Sequence, residues 1–153
     1  MRSRRGACAR APEERRMSLV RELPPPEWRG YLDELTRRAS DRTMNVVLRF
    51  DGEQMHDAPV GEKLRLAAIE LESKGSDAGA IAMLLHGVAG DFGHRIRFPV
   101  RLVTHMRDDG ELEWLEIHDK EGRTLHLYAE AHPAFLELSE AKPWWRRPLP
   151  PLP

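Results

Sequence analysis

At 153 residues, 41% of them apolar, the chain is long enough for one domain with its own core. Of its 24 basic and 25 acidic residues, six arginines and two glutamates fall within residues 1–16, leaving 18 basic against 23 acidic residues in the body. An acidic body neutralises phosphates poorly, which argues against general nucleic-acid binding, and no apolar run reaches the length of a membrane span.

The Arg-rich start lacks the apolar centre of a secretory signal, and Glu13 and Glu14 are foreign to a transit peptide. Nothing in it can pack, so residues 1–18 are expected to be a disordered extension, with Met17 as the true start. Cys8, the single cysteine, has no partner for an internal disulfide, as in a reducing, cytoplasmic compartment. Leu23-Pro24-Pro25-Pro26 is a stiff lead-in, and a proline in the first turn of a helix forfeits no hydrogen bond. Trp28, Tyr31, Leu32, Leu35 and Ala39 then recur at helical spacing, with charged residues on the other face. This predicts an amphipathic helix ending near Ser40-Asp41, whose stripe must lie against a sheet.

From Thr43 to Phe50 the pattern alternates, with Met44, Val46, Leu48 and Phe50 on one face of a half-buried strand. Residues 54–61 are a polar connector. Leu64–Glu72 and Ala78–Val88 suit helix by propensity and strand by alternation, and segments this short leave both readings open. Next comes a cluster, His86 to His94, in which His86, Asp91 and His94 stand among three glycines. Such residues can form a metal-binding loop, although their spacing matches no structural zinc pattern; glycines here equally let the chain turn between strands.

Pro99 to Tyr128 reads as three strands folded back on one another, with turns at Asp109-Gly110 and at Asp119-Lys120-Glu121-Gly122. A two-residue turn at Asp109-Gly110 sets Asp108 opposite Glu111 and pairs His105 with Trp114, Val103 with Glu116, and Arg101 with His118. Pairing His118 with Thr124 in the next hairpin sets Glu116 opposite His126 and Trp114 opposite Tyr128. One face then carries Leu102, Leu115, Ile117, Leu125 and Leu127 as core; the other gathers Arg101, His105, Trp114, Glu116, His118, His126 and Tyr128. Opposed Glu116 and His126 are within reach of a hydrogen bond, and imidazoles beside a carboxylate can bind zinc or exchange protons. The same residues also suit a solvated or covered sheet face with an aromatic cross-strand pair.

The tail ends in Pro143-Trp144-Trp145-Arg146-Arg147-Pro148-Leu149-Pro150-Pro151-Leu152-Pro153. Arg147, Pro150 and Pro153 have the spacing of a polyproline ligand for a Src-homology-3 domain, set against the plainer reading of a disordered tail over residues 139–153.

Glu22 to Trp28 ahead of a helix, paired apolar segments around a polar turn, His94-x-Ile96-x-x-Pro99, and a meander closed by Asp119-x-x-Gly122 resemble a bacterial family, the domain of unknown function numbered 5335. The resemblance covers about Leu19 to Tyr128. It implies a small cytoplasmic domain, mostly sheet with a leading helix, and no reaction, cofactor or catalytic residue. It also favours strands over residues 64–88. The expected fold is thus α+β and mainly antiparallel: a single domain over residues 19–138, with one N-terminal helix on about six strands, open or curled into a barrel-like sheet.

No nucleophile elbow and no phosphate-cradling glycine turn occur. The leading expectation is a cofactor-free, non-catalytic module that binds a protein or small ligand, or pairs with a second copy through an edge strand. The alternatives are a metal-dependent enzyme or sensor built on the His/Glu cluster, and an adaptor presenting its proline-rich tail.

Overall fold

Nine elements follow one another through residues 19–52, 60–76, 78–133 and 135, the part of the chain described by the computed structural model. They are β1 (Leu19–Leu23), α1 (Pro25–Asp41), β2 (Asn45–Asp51), β3 (Leu64–Leu71), β4 (Ile81–Gly87), β5 (Gly90–Ile96), β6 (Pro99–Met106), β7 (Leu112–Asp119) and β8 (Thr124–Ala129). The strands form one antiparallel sheet in the order β1-β6-β7-β8-β2-β3-β4-β5. Leu64–Leu71 and Ile81–Gly87 are strands, as the resemblance implied. The sheet has eight strands where about six were expected. The two additions are its edges, each held by one neighbour and so weakly patterned. Four of the five residues of β1 are exposed, and β5 carries two glycines and alternates polar residues with aromatics. The first sixteen residues and the proline-rich tail, with Arg147, Pro150 and Pro153, lie outside the described residues.

The connectivity dictates the sheet's shape. In a flat sheet β5 and β6 would stand six strand spacings apart, roughly 29 Å. Yet only Arg97 and Phe98 join them, and three residue steps reach at most ~10 Å. The sheet therefore curls until its β5 edge approaches the β6–β8 meander. One contact records the curl: the rings of Phe50 (β2) and His94 (β5), three strands apart in the sheet order, meet at 5.3 Å. Register shifts at Leu66/Ala68, Pro99/Arg101 and His105/Met106 add local twist. The barrel-like curl is real, but β1 and β5 do not pair and the sheet stays open.

The concave face is the core, built from Leu48, Leu64, Leu66, Ile69, Ile81, Leu85, Leu102, Leu115, Ile117 and Leu127, all essentially inaccessible. Helix α1 starts on Pro25 and ends at Asp41, as its stripe predicts, and buries Trp28, Leu32, Leu35 and Ala39 against the sheet, chiefly on β3. The Trp28 indole N–H donates to Leu23 O at 2.8 Å, satisfying a buried donor. Strands β2 and β3 pair only at Asn45–Arg65 and Val46–Leu64, then part. Where they part, the Thr36 hydroxyl from α1 takes the place of a strand: it donates to Ile69 O (2.5 Å) and accepts from Ile69 N–H (2.9 Å). Among the described residues no helix is long and apolar enough to cross a membrane.

Candidate functional site

The meander pairs as its alternation predicts: His105–Trp114, Val103–Glu116, Arg101–His118, His118–Thr124, Glu116–His126 and Trp114–Tyr128. Leu102, Leu115, Ile117, Leu125 and Leu127 face the core, and the seven polar and aromatic candidates share the convex face. The turn differs. Gly110 N–H donates to Arg107 O and Arg107 N–H to Glu111 O, so the loop holds three residues, Asp108 to Gly110, with Gly110 at a φ of 85°. A bulge opposite His105 and Met106 then restores the register.

On the convex face the hydrogen bonds run diagonally and along a strand. Glu116 Oε2 is bonded to His105 Nε2 and Glu116 Oε1 to His118 Nε2 at 3.1 Å, while His118 Nδ1 meets the Thr124 hydroxyl at 3.1 Å. The expected Glu116–His126 bond gives way to His126 Nε2 on Asp51 Oδ2 at 2.8 Å, because β2 brings Asp51 alongside β8. Burial pushes the Glu116 carboxyl up, but the bond and charge of His105, the bond of His118 and the charge of His126 outweigh it and hold it below the usual range. Arg101 stands apart, ion-paired with Glu22 of β1.

Of the two states its pattern allows, solvated or covered, the face is largely covered, and by aromatic rings rather than by the helix. The Trp114 ring stacks on His105 at 3.6 Å, and His132 packs edge-on to Trp114 at 4.6 Å. Phe135, 2% exposed, seals Val47 and Tyr128. The turn after β8 thus lies over the strands' outer face, leaving Tyr128 at 6% and His105 at 8% exposure. Burial pushes His132 down, with Glu113 opposing and His105 reinforcing. Burial likewise raises Tyr128, with Arg49 opposing.

The order hydroxyl, imidazole, carboxylate in Thr124–His118–Glu116 is that of an activated nucleophile. Here both Nε2 nitrogens are spent on one carboxylate instead of converging on a shared vacancy. Among the described residues no three His, Cys, Asp or Glu side chains are placed to hold a metal ion. The second cluster is dismantled by alternation. His86 and Asp91 are opposed across the β4–β5 hairpin and bonded at 2.5 Å, whereas His94 pairs with Met83 and points to the other face.

His94 instead belongs to a cleft that residue patterns did not reveal. It lies where the curled sheet fails to close, between β5, the Arg97-Phe98 link and the β7–β8 hairpin, and has a volume of about 550 Å³. Phe50, Ile96, Ile117 and Leu125 give it an apolar floor, and Arg95, Arg97, Phe98 and Arg123 form its rim. Phe92 stacks parallel to the His94 ring at 6.2 Å and Phe50 meets its edge. Burial, then the charge of Arg123, push His94 down, so it is neutral at pH 7. These side chains come from β2, β5, β7 and β8, and only the two-residue β5–β6 link hints in sequence that they meet.

A family model described as a family of unknown function, DUF5335, matches residues 19–134. No curated protein and no solved structure matches the chain.

Proposed function

Because the chain belongs to a family of unknown function, DUF5335, we propose its role from geometry: a non-catalytic binding module that holds a small organic ligand in the mouth of its curled sheet. The observation that carries this reading is the apolar floor of the cleft. Ile117 and Leu125 continue the core, yet line a space of about 550 Å³ that α1, seated on β3, leaves uncovered. Mouths of curled sheets with an apolar lining and a few polar groups at the rim are the usual place for such ligands. The outer histidine face supports the reading by contrast, since His105, Glu116, His118 and the Nε2 of His126 already bond within the chain.

The test is a fragment screen on ¹⁵N-labelled full-length protein, following amide shifts. Binders are expected to move the amides of His94, Ile96, Ile117 and Leu125 and to leave Glu116 and His118 unmoved. A screen without binders, or with shifts centred on the convex face, overturns the proposal.

A further inference from the structure

We infer that the cleft selects a planar aromatic anion, a carboxylate or sulfonate whose rings lie on the apolar floor and whose charge meets Arg97. The inference rests on the ligand-binding reading above and adds a chemical class to it. It follows from an inventory of the rim. Asp119, the most deeply placed acid, spends both oxygens: Oδ1 accepts the Glu121 and Arg123 N–H groups, and Oδ2 accepts Arg123 Nε at 2.7 Å. Glu121 is taken by Arg123 Nη2 at 2.9 Å, and Arg95 is paired with Glu72 outside the cleft at 2.6 Å. Both rim carboxylates are therefore held by one guanidinium, that of Arg123, and neither is paired with Arg97.

Arg97 is exposed and, among the described residues, has neither an ion pair nor a hydrogen bond. It is the rim cation with its five donors uncommitted, and a guanidinium fork fits a carboxylate or sulfonate better than a point charge does. His94 adds no charge to the rim, because burial first and then the charge of Arg123 disfavour its protonation. Phe98, next in sequence and 59% exposed, presents an uncovered ring at the same rim, with Lys120 Nζ 6.0 Å from its centroid. An aromatic body therefore finds a stacking surface beside the free guanidinium.

Two dyes that share a skeleton test the assignment on the full chain: 8-anilinonaphthalene-1-sulfonate and its neutral twin, N-phenyl-1-naphthylamine. The sulfonate is expected to bind about tenfold tighter, as a charge-assisted contact gives, and Arg97→Gln to erase that preference while leaving the neutral dye unchanged. Arg97 is exposed, and an unaltered thermal melt certifies that the variant folds. Phe98→Ala should weaken both dyes several-fold. Equal affinity for the twins, or a preference that survives Arg97→Gln, overturns the anion assignment and spares the cleft. Failure of both dyes to bind, or binding that leaves the His94 and Ile96 amides unmoved, takes down the cleft reading as well.

Discussion

Replacing Thr36 by valine tests whether α1 stitches the sheet together where β2 and β3 part. Thr36 is half-buried and Ile69 fully buried, and the hydroxyl is partner to both the N–H and the C=O of Ile69. Valine keeps the shape and removes both bonds. A buried backbone group left without a partner costs ~1–3 kcal/mol. With two such groups and partial access of water, Thr36→Val should destabilise by about 2–3 kcal/mol, a fall in Tm of roughly 6–15 °C for a domain of this size. Thr36→Ser keeps the hydroxyl and should stay within ~1 kcal/mol, the transfer energy of one methyl. Urea denaturation followed by far-UV circular dichroism gives the global value, and hydrogen exchange at the Ile69 amide gives the local one. A loss below ~0.5 kcal/mol in Thr36→Val, set against the stated cost of an orphaned backbone group, or equal damage from serine, would refute the reasoning.

Stability should fall with acid. His94 and His132 have depressed values in the folded chain, so between the unfolded histidine value, ~6.5, and their folded values the unfolded state binds the extra protons. Their contribution is intact above that window and is lost as pH falls through it, at no more than ~1.4 kcal/mol per pH unit each. Melts from pH 7.5 to 5 should show the slope, and His132→Gln should flatten it. Gly87→Ala sets a methyl 2.8 Å from Leu64 Cδ2, a fully packed side chain, and should cost about 1–3 kcal/mol in denaturant melts. Phe135→Ala should cost about 3 kcal/mol and shift the Trp114 indole resonance while leaving dye affinity unchanged, since the cleft lies on the opposite side of the sheet.

The meander is legible because alternation and two turns, Asp109-Gly110 and Asp119-x-x-Gly122, constrain it from both ends. Even so, the first turn was read one residue short: a three-residue loop with Gly110 in the left-handed region replaces the two-residue turn, and the bulge near Glu113 compensates. Two one-residue offsets cancel: Asp108–Glu111 gives way to Arg107–Glu111, and the expected pairs from Arg101–His118 to Trp114–Tyr128 survive. The helix was legible for the same kind of reason, since Trp28, Leu32, Leu35 and Ala39 repeat at its period. Strands β1 and β5 were not. An edge strand is held by one neighbour and is half-wetted, so Leu19 and Val20 stay exposed and glycines interrupt β5. Nor could pairing alone assign the hydrogen bonds of Glu116. His126 stands directly opposite, but a third strand claims it through Asp51, and the carboxylate turns to His105 and His118.

The two faces of the sheet differ in a way that bears on which one meets a ligand. A side chain recognises something outside the protein only with bonding capacity it has not spent inside. On the convex face Thr124, His118, Glu116 and His105 form one connected chain, and Asp51 occupies His126. The two nitrogens there that lack partners among the described residues, Trp114 Nε1 and His126 Nδ1, are sealed from solvent. Reaching the Trp114 nitrogen would require lifting Phe135 or the His132 turn, at the cost of buried aromatic contacts. At the cleft the accounting reverses: the acids are committed, the guanidinium of Arg97 is not, and half-buried Phe50 and exposed Phe98 offer apolar surface above a floor closed by the core residues Ile96, Ile117 and Leu125. A polar cluster conspicuous in sequence is thus the better satisfied of the two, and the residual valence sits where the chain's shortest crossover, Arg97-Phe98, prevents the sheet from lying flat.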